Sequence, residues 1–130
     1  MPVSEHLSKK FDAELESIRS RVLEMGGLVE SQIRRALDAF ARLDCNVAAE
    51  VIRQDAAIDA EFQSVLRQLV TYMMEDPRTI SAALDVIWIA KALERIGDHA
   101  KNMAEYVIYI VKGTDVRHTS GTASMEGLRS

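Results

Sequence analysis

Residues 11–40 read FDAELESIRSRVLEMGGLVESQIRRALDAF. Apolar side chains recur at Phe11, Leu15, Ile18, Val22, Met25, Val29, Ile33, Leu37 and Phe40, every step being three or four residues. That is the repeat of one helix face, not the alternation of a strand. The pattern extends from about residue 5 to residue 42 and predicts a helix roughly 55 Å long at 1.5 Å per residue. Amphipathic stretches of this length belong to extended bundles with coiled-coil-like packing. Gly26-Gly27 interrupts the stretch, which predicts close approach of a neighbouring helix or a local bend.

Working outward, a second pattern uses Val47, Val51, Ile58, Phe62, Val65, Leu69 and Met73, with Asp44 or Asn46 placed to cap its start. A third uses Ile80, Leu84, Ile87, Ala90, Gly97, Ala104, Val107 and Val111. It opens at Asp76-Pro77, a capping residue followed by a proline suited to a first helical turn, and is expected to close at Lys112-Gly113. The connections, near residues 43–46 and 75–77, are short enough to force consecutive helices antiparallel. The prediction is an all-α, elongated up-down-up bundle of three helices over residues 1–113. Residues 114–130, rich in Thr, Ser and Gly and without periodicity, are expected to form a mobile tail.

Composition agrees with one soluble domain: 130 residues, 48% apolar and 28% charged. A net charge of −4, with no run of Lys or Arg beyond the pair Arg34-Arg35, argues against nucleic acid as a partner. Cys45 is the single cysteine, which suits a reducing compartment. The start, Met1 to His6, has no apolar segment of the kind a secretory signal needs. The apolar run Val107 to Val111 is far too short to cross a bilayer. A cytoplasmic location without membrane insertion is therefore expected.

The acidic residues fall where water-facing residues should not. Glu94 is seven residues and Asp98 eleven residues after Ile87, so each points within about 20° of that apolar side chain. Asp55 lies four residues after Val51 and seven before Phe62, with Asp59 one turn on, at the edge of the stripe. Two helices thus carry an acidic-x-x-x-Asp pair toward the core side. Buried carboxylates repel one another and need partners. A hard cation such as Mg²⁺, Ca²⁺, Mn²⁺ or iron would supply one. Ion pairs with Arg53, Lys91, Arg95 or Lys101, or plain solvation, would be the alternative. Asn102 and Glu105 continue the face as additional candidate oxygen ligands, and Gly97 removes a side chain where a neighbour or ligand approaches. His99 points about 100° off the stripe and is expected at the surface. Glu30, His6 and His118 need no role. Trp88, Tyr106 and Tyr109 are expected at a bundle or subunit interface, and Met73-Met74 in the core. No Gly-rich phosphate loop, G-x-S-x-G, H-E-x-x-H or paired Glu-x-x-His motif occurs, so no enzymatic role is expected.

The stretch Ala90-Lys-Ala-Leu-Glu-Arg-Ile-Gly-Asp98-His-Ala-Lys-Asn102-Met-Ala-Glu-Tyr-Val resembles the signature helix of the PhoU family. Tyr72-Met-Met-Glu-Asp-Pro-Arg78 before it and Val111-Lys-Gly-Thr-Asp-Val-Arg-His-Thr119 after it look like that family's second repeat. His6 to Leu15 and Val22 to Glu30 resemble its N-terminus. Family members hold two tandem three-helix repeats, and this chain looks like one, with a join between homologous repeats expected near residues 55–65. The resemblance implies a cytoplasmic negative regulator of phosphate uptake and of the phosphate-starvation response. It implies contact with the ATPase of a phosphate-specific ABC transporter and with a phosphate-sensor histidine kinase. It also implies a metal site of iron, zinc, manganese or magnesium, with Asp55, Asp59, Glu94 and Asp98 as ligands. Homodimerisation into a six-helix assembly follows from the single repeat. A purely structural bundle, or a metal-binding or storage protein without regulatory role, is the alternative.

Overall fold

The computed structural model describes the backbone of residues 2–123 and the side chains of residues 9–113. Helix α1 spans Pro2–Arg42, α2 Cys45–Glu75 and α3 Ile80–Ala123, with a single 3-10 turn over Pro77–Thr79 leading into α3. All three pack on one another. Early α1 meets late α2, as at Phe11 and Tyr72, and late α1 meets early α2, as at Arg35 and Glu50. These two helices are antiparallel, as the short loop demands. No helix among the described residues is long and apolar enough to cross a membrane.

Both connections are set by local chemistry. Asp44 caps α2 by accepting from the backbone N–H groups of Asn46 and Val47 at 3.0 and 3.2 Å. Asp76 does the same for Arg78 N–H at 3.0 Å and clasps the Arg78 guanidinium, with Pro77 next in line. Helix α1 stops because Leu43 takes φ 53°, the left-handed region. Its N–H donates to Phe40 O at 3.3 Å, and Asp44 N–H reaches back to Ala39 O at 2.9 Å. That is a Schellman-type stop built on a residue other than the usual glycine.

The core forms two clusters along the axis. One holds large side chains: Phe11, Ile18, Val22, Met25, Phe62, Val65, Leu69 and Tyr72, closed on α3 by Ala83, Val86 and Ala90. Phe11 and Tyr72 meet edge to face at 5.5 Å, and the Tyr72 hydroxyl donates to Phe11 O at 2.8 Å. The other is made of Ala36, Ala39, Ala48, Val51, Ala100, Ala104 and Val107. Arg21 ties α1 to α2 from the side, donating to Glu61, Ser64 and Gln68.

Several expectations need correction. The α2 stripe is as read, with Val47 and Met73 half-buried, but Met74 is 79% exposed and fills no core. On α1 the buried line passes from Val29 to Gln32, Ala36 and Ala39, leaving Leu37 and Phe40 exposed. On α3 it runs through Ala83, Val86, Ala90, Gly97, Ala100, Ala104 and Val107, while Ile80 and Leu84 face outward and Ile87 is half-buried. Small residues hold these seams because three close-packed helices leave little room between their axes. Trp88, Tyr106 and Tyr109 are exposed and pack in neither cluster. Gly26-Gly27 does not interrupt α1, and Gly26 serves close packing, its Cβ position lying 3.8 Å from Leu93. Nor does α3 end at Gly113, which has no positive φ. One glycine costs a helix only about 1 kcal/mol relative to alanine, and residues 114–123 continue the helical backbone. Residues 124–130, the remainder of the expected tail, lie outside the described residues, as do the side chains of His6 and His118.

The left-handed Leu43 gives a direct test. Replacing Leu43→Gly removes a steric cost of about 1 kcal/mol, so the variant is expected to unfold at higher denaturant concentration with an unchanged slope. An unaltered or lower midpoint would show the backbone there to be unstrained.

Candidate metal centre

Between the two apolar clusters lies a polar layer, built from one residue of each helix. Gln32 of α1 is 1% exposed and Asp55 of α2 is 3% exposed, and they face Gly97 of α3. A Cβ at Gly97 would stand 3.1 Å from Gln32 Oε1 and 3.8 Å from Asp55 Oδ1. The glycine therefore makes room for close approach, since a Cβ there would press on the Gln32 amide, and it serves no positive-φ need. From this layer the acidic residues fan outward. Asp59 is half-buried one turn along α2, and Asp98 follows Gly97 at the surface of α3.

Asp55, Asp59 and Asp98 each place a carboxylate oxygen within 4.8 Å of the other two. Helices α2 and α3 thus bring together three of the four acids named from the sequence. Glu94 stands one turn before Asp98, half-buried and close enough to sense Asp59 and Asp98, but it is outside this trio. Asn102 and Glu105 are exposed and share a shallow depression with Tyr106 and Tyr109 further along α3; Glu105 is not part of the trio. The inward placement read for Glu94 and Asp98 is corrected here. It took Ile87 as the middle of the stripe, whereas the buried line passes through Ala90 and Gly97, so both acids sit on its flank.

The electrostatics of the layer are unfavourable in isolation. Burial, and then the charges of Asp59 and Asp98, push the Asp55 carboxyl up from 3.8 to about 6. Lys101 and the Gln32 amide pull weakly the other way. Lys101 Nζ approaches Asp55 Oδ2 at 3.9 Å, the outer limit of an ion pair. Arg53, Lys91 and Arg95, the other cations named beside the acids, form no ion pair with them among the described residues. Glu94 is likewise raised, first by burial and then by Asp59 and Asp98. Asp55 Oδ1 and Gln32 Oε1 are buried and make no hydrogen bond among the described residues. Each such orphan oxygen costs about 1–3 kcal/mol. Three clustered carboxylates, one of them with a buried unpartnered oxygen, fit a hard cation by donor type and by placement. His99 is exposed and Glu30 is solvated, as expected. Sequence reasoning missed Gln32, whose signal was its place in the seam, three residues after Val29 and four before Ala36.

A family model described as "PhoU domain" matches residues 22–107. The phosphate-specific transport system accessory protein PhoU homolog of Pseudomonas aeruginosa is 53% identical over 105 residues, covering 81% of this chain and 43% of that protein. The phosphate-specific transport system accessory protein PhoU of Escherichia coli K12 is 39% identical over 113 residues, or 87% of this chain and 47% of that one. The crystal structure of PhoU from Pseudomonas aeruginosa superposes with a TM-score of 0.67 at 53% identity, covering 69% of this chain and 43% of that chain. The chain therefore spans under half the length of these relatives.

The raised Asp55 carboxyl sets a pH dependence. The folded protein holds this proton more tightly than the unfolded chain, so stability falls as pH rises from about 4 to about 6 and stays low above. The loss is on the order of 3 kcal/mol. Asp76, lowered mainly by its bonds to Arg78, works in the opposite sense but is common to wild type and variant. In cation-free buffer, Asp55→Asn is expected to be more stable than wild type at pH 7 and nearly equal at pH 4. Denaturant titrations at the two values check this, and a constant difference would overturn it.

Proposed function

The chain belongs to the PhoU family, and on that premise we propose that it is a regulatory accessory of phosphate transport, acting by protein contact and without chemistry of its own. The observation that carries this reading is the family match over residues 22–107, which takes in Asp55, Asp59, Glu94 and Asp98. In finer terms, the protein is a negative regulator of phosphate uptake and of the starvation response. Its partners are the ATPase of the phosphate-specific ABC transporter and the phosphate-sensor histidine kinase, met at the cytoplasmic face of the membrane.

A divalent or trivalent cation at Asp55, Asp59 and Asp98, with Glu94 at the rim, belongs to the same reading. The all-oxygen donors suit magnesium, manganese or iron better than zinc. When bound, the ion neutralises the carboxylates and ties α2 to α3, fixing the surface that a partner would meet. Lys101 is the observation that favours the alternative, a bundle whose acids are only ion-paired. It reaches one oxygen of Asp55, at 3.9 Å, and leaves the other without a partner.

A second copy of the chain would cover the depressions between α1 and α3, making six helices in all. One depression is lined by Val22, Leu23, Val86 and Ile89 with Arg19 and Asp85, and another by Leu37, Phe40, Met103, Tyr106 and Ile110.

A phosphate-responsive reporter in a strain lacking this chain tests the regulatory role. Derepression in phosphate-rich medium is expected, reversed by the wild-type chain and not by a Glu94→Ala/Asp98→Ala double variant. A reporter indifferent to the deletion would dismiss the role. Metal content of the untagged protein, with and without the double substitution, tests the cation separately.

A further inference from the structure

The polar layer contains a donor that the acidic pattern does not explain. Gln32 is buried at the middle of α1, where Met or Leu would fill the same space without a polar cost. Its Nε2 donates to Val51 O on α2 at 3.3 Å, while its Oε1 makes no hydrogen bond. Exchanging the two ends of the amide would set Oε1 against the Val51 carbonyl oxygen and lose that bond, in exchange for aiming Nε2 at Asp55 Oδ1. The bond to Val51 selects the first orientation, in which the amide oxygen faces the space over Gly97. Asp55 Oδ1, also without a partner, borders the same space. Two buried oxygens bordering the space over a residue without a side chain call for a proton or a cation between them.

We propose that Gln32 Oε1 is the ligand that α1 contributes to the cation held by Asp55, Asp59 and Asp98, so that the site is closed by all three helices. The proposal rests on the cation reading given above. It also accounts for the ligand being neutral. Three carboxylates with a divalent ion and the nearby Lys101 sum to zero charge, and Glu94 already adds an acid at the rim. A further acid in the core would be uncompensated.

The test uses the full chain with Mn²⁺ as the probe, measured by calorimetry and by the loss of the free-ion electron paramagnetic resonance signal. Cation-free thermal melts are recorded alongside. Gln32→Met is expected to weaken Mn²⁺ binding about tenfold or more, the scale of one lost oxygen ligand, while the cation-free melt stays level or rises. Gln32→Glu is expected to do the reverse, binding Mn²⁺ more tightly and melting lower without it. A glutamine with a purely structural role would move the melts and leave the affinities alone. Asp98→Asn separates the two levels of the argument. If it weakens Mn²⁺ binding while Gln32→Met binds as wild type does, the Gln32 assignment is overturned and the acidic site stands. If the wild type takes up no Mn²⁺, both fall.

Discussion

The burial of Asp55 is the constraint around which the rest of this bundle is arranged. A carboxylate with 3% exposure inside a three-helix core is costly unless charge or hydrogen bonds answer it. The fold supplies only part of that answer, through Lys101 at 3.9 Å. Everything at this level yields to the carboxylate. Gly97 gives up a side chain, Gln32 brings an amide into the seam, and the apolar clusters stop on either side. A bundle selected for stability alone would place Leu or Ala here and run one continuous core. The polar layer is therefore read as a site that the fold accommodates, not as an element that holds the fold together.

What holds the fold together is the seam on either side. The large-residue cluster seats Phe11, Met25, Leu69 and Tyr72 against alanines of α3. The opposite cluster relies on alanines from all three helices. Arg21 and Arg35 fasten α1 to α2 along the outside. Such partly exposed pairs add little energy but fix the register in which Asp55 meets Gln32.

How much of this could be read from the sequence differs from helix to helix. The middle of the α2 stripe was legible, because its buried positions carry large or branched residues such as Val51, Ile58, Phe62 and Leu69, while Ala48 and Tyr72 replace Val47 and Met73 at its ends. The α1 and α3 stripes were displaced because the reading followed the largest apolar residues. Leu37, Phe40, Ile80 and Leu84 drew the line outward, while Ala36, Ala39, Ala83 and Ala100 define the true one. Alanine weighs little in a hydrophobic pattern yet suits the narrow interior of three packed helices. The same displacement put Glu94 and Asp98 too deep. Three of the acids nonetheless come together, since a shift of one position on a helix still leaves Asp98 within reach of Asp55 and Asp59. The continuation of α3 beyond Gly113 was not legible, because a single glycine stops a helix only where the backbone turns left-handed, as it does at Leu43.

The unequal filling of the two core clusters also gives the molecule a shape. Helices separated by alanine approach to about 8 Å, whereas bulky contacts hold them nearer 10 Å. On that scale the bundle is expected to be slimmer at the end bearing Ala39, Ala48 and Ala104 than at the Phe11–Tyr72 end. A wedge of that kind would meet a straight neighbour along only part of its length.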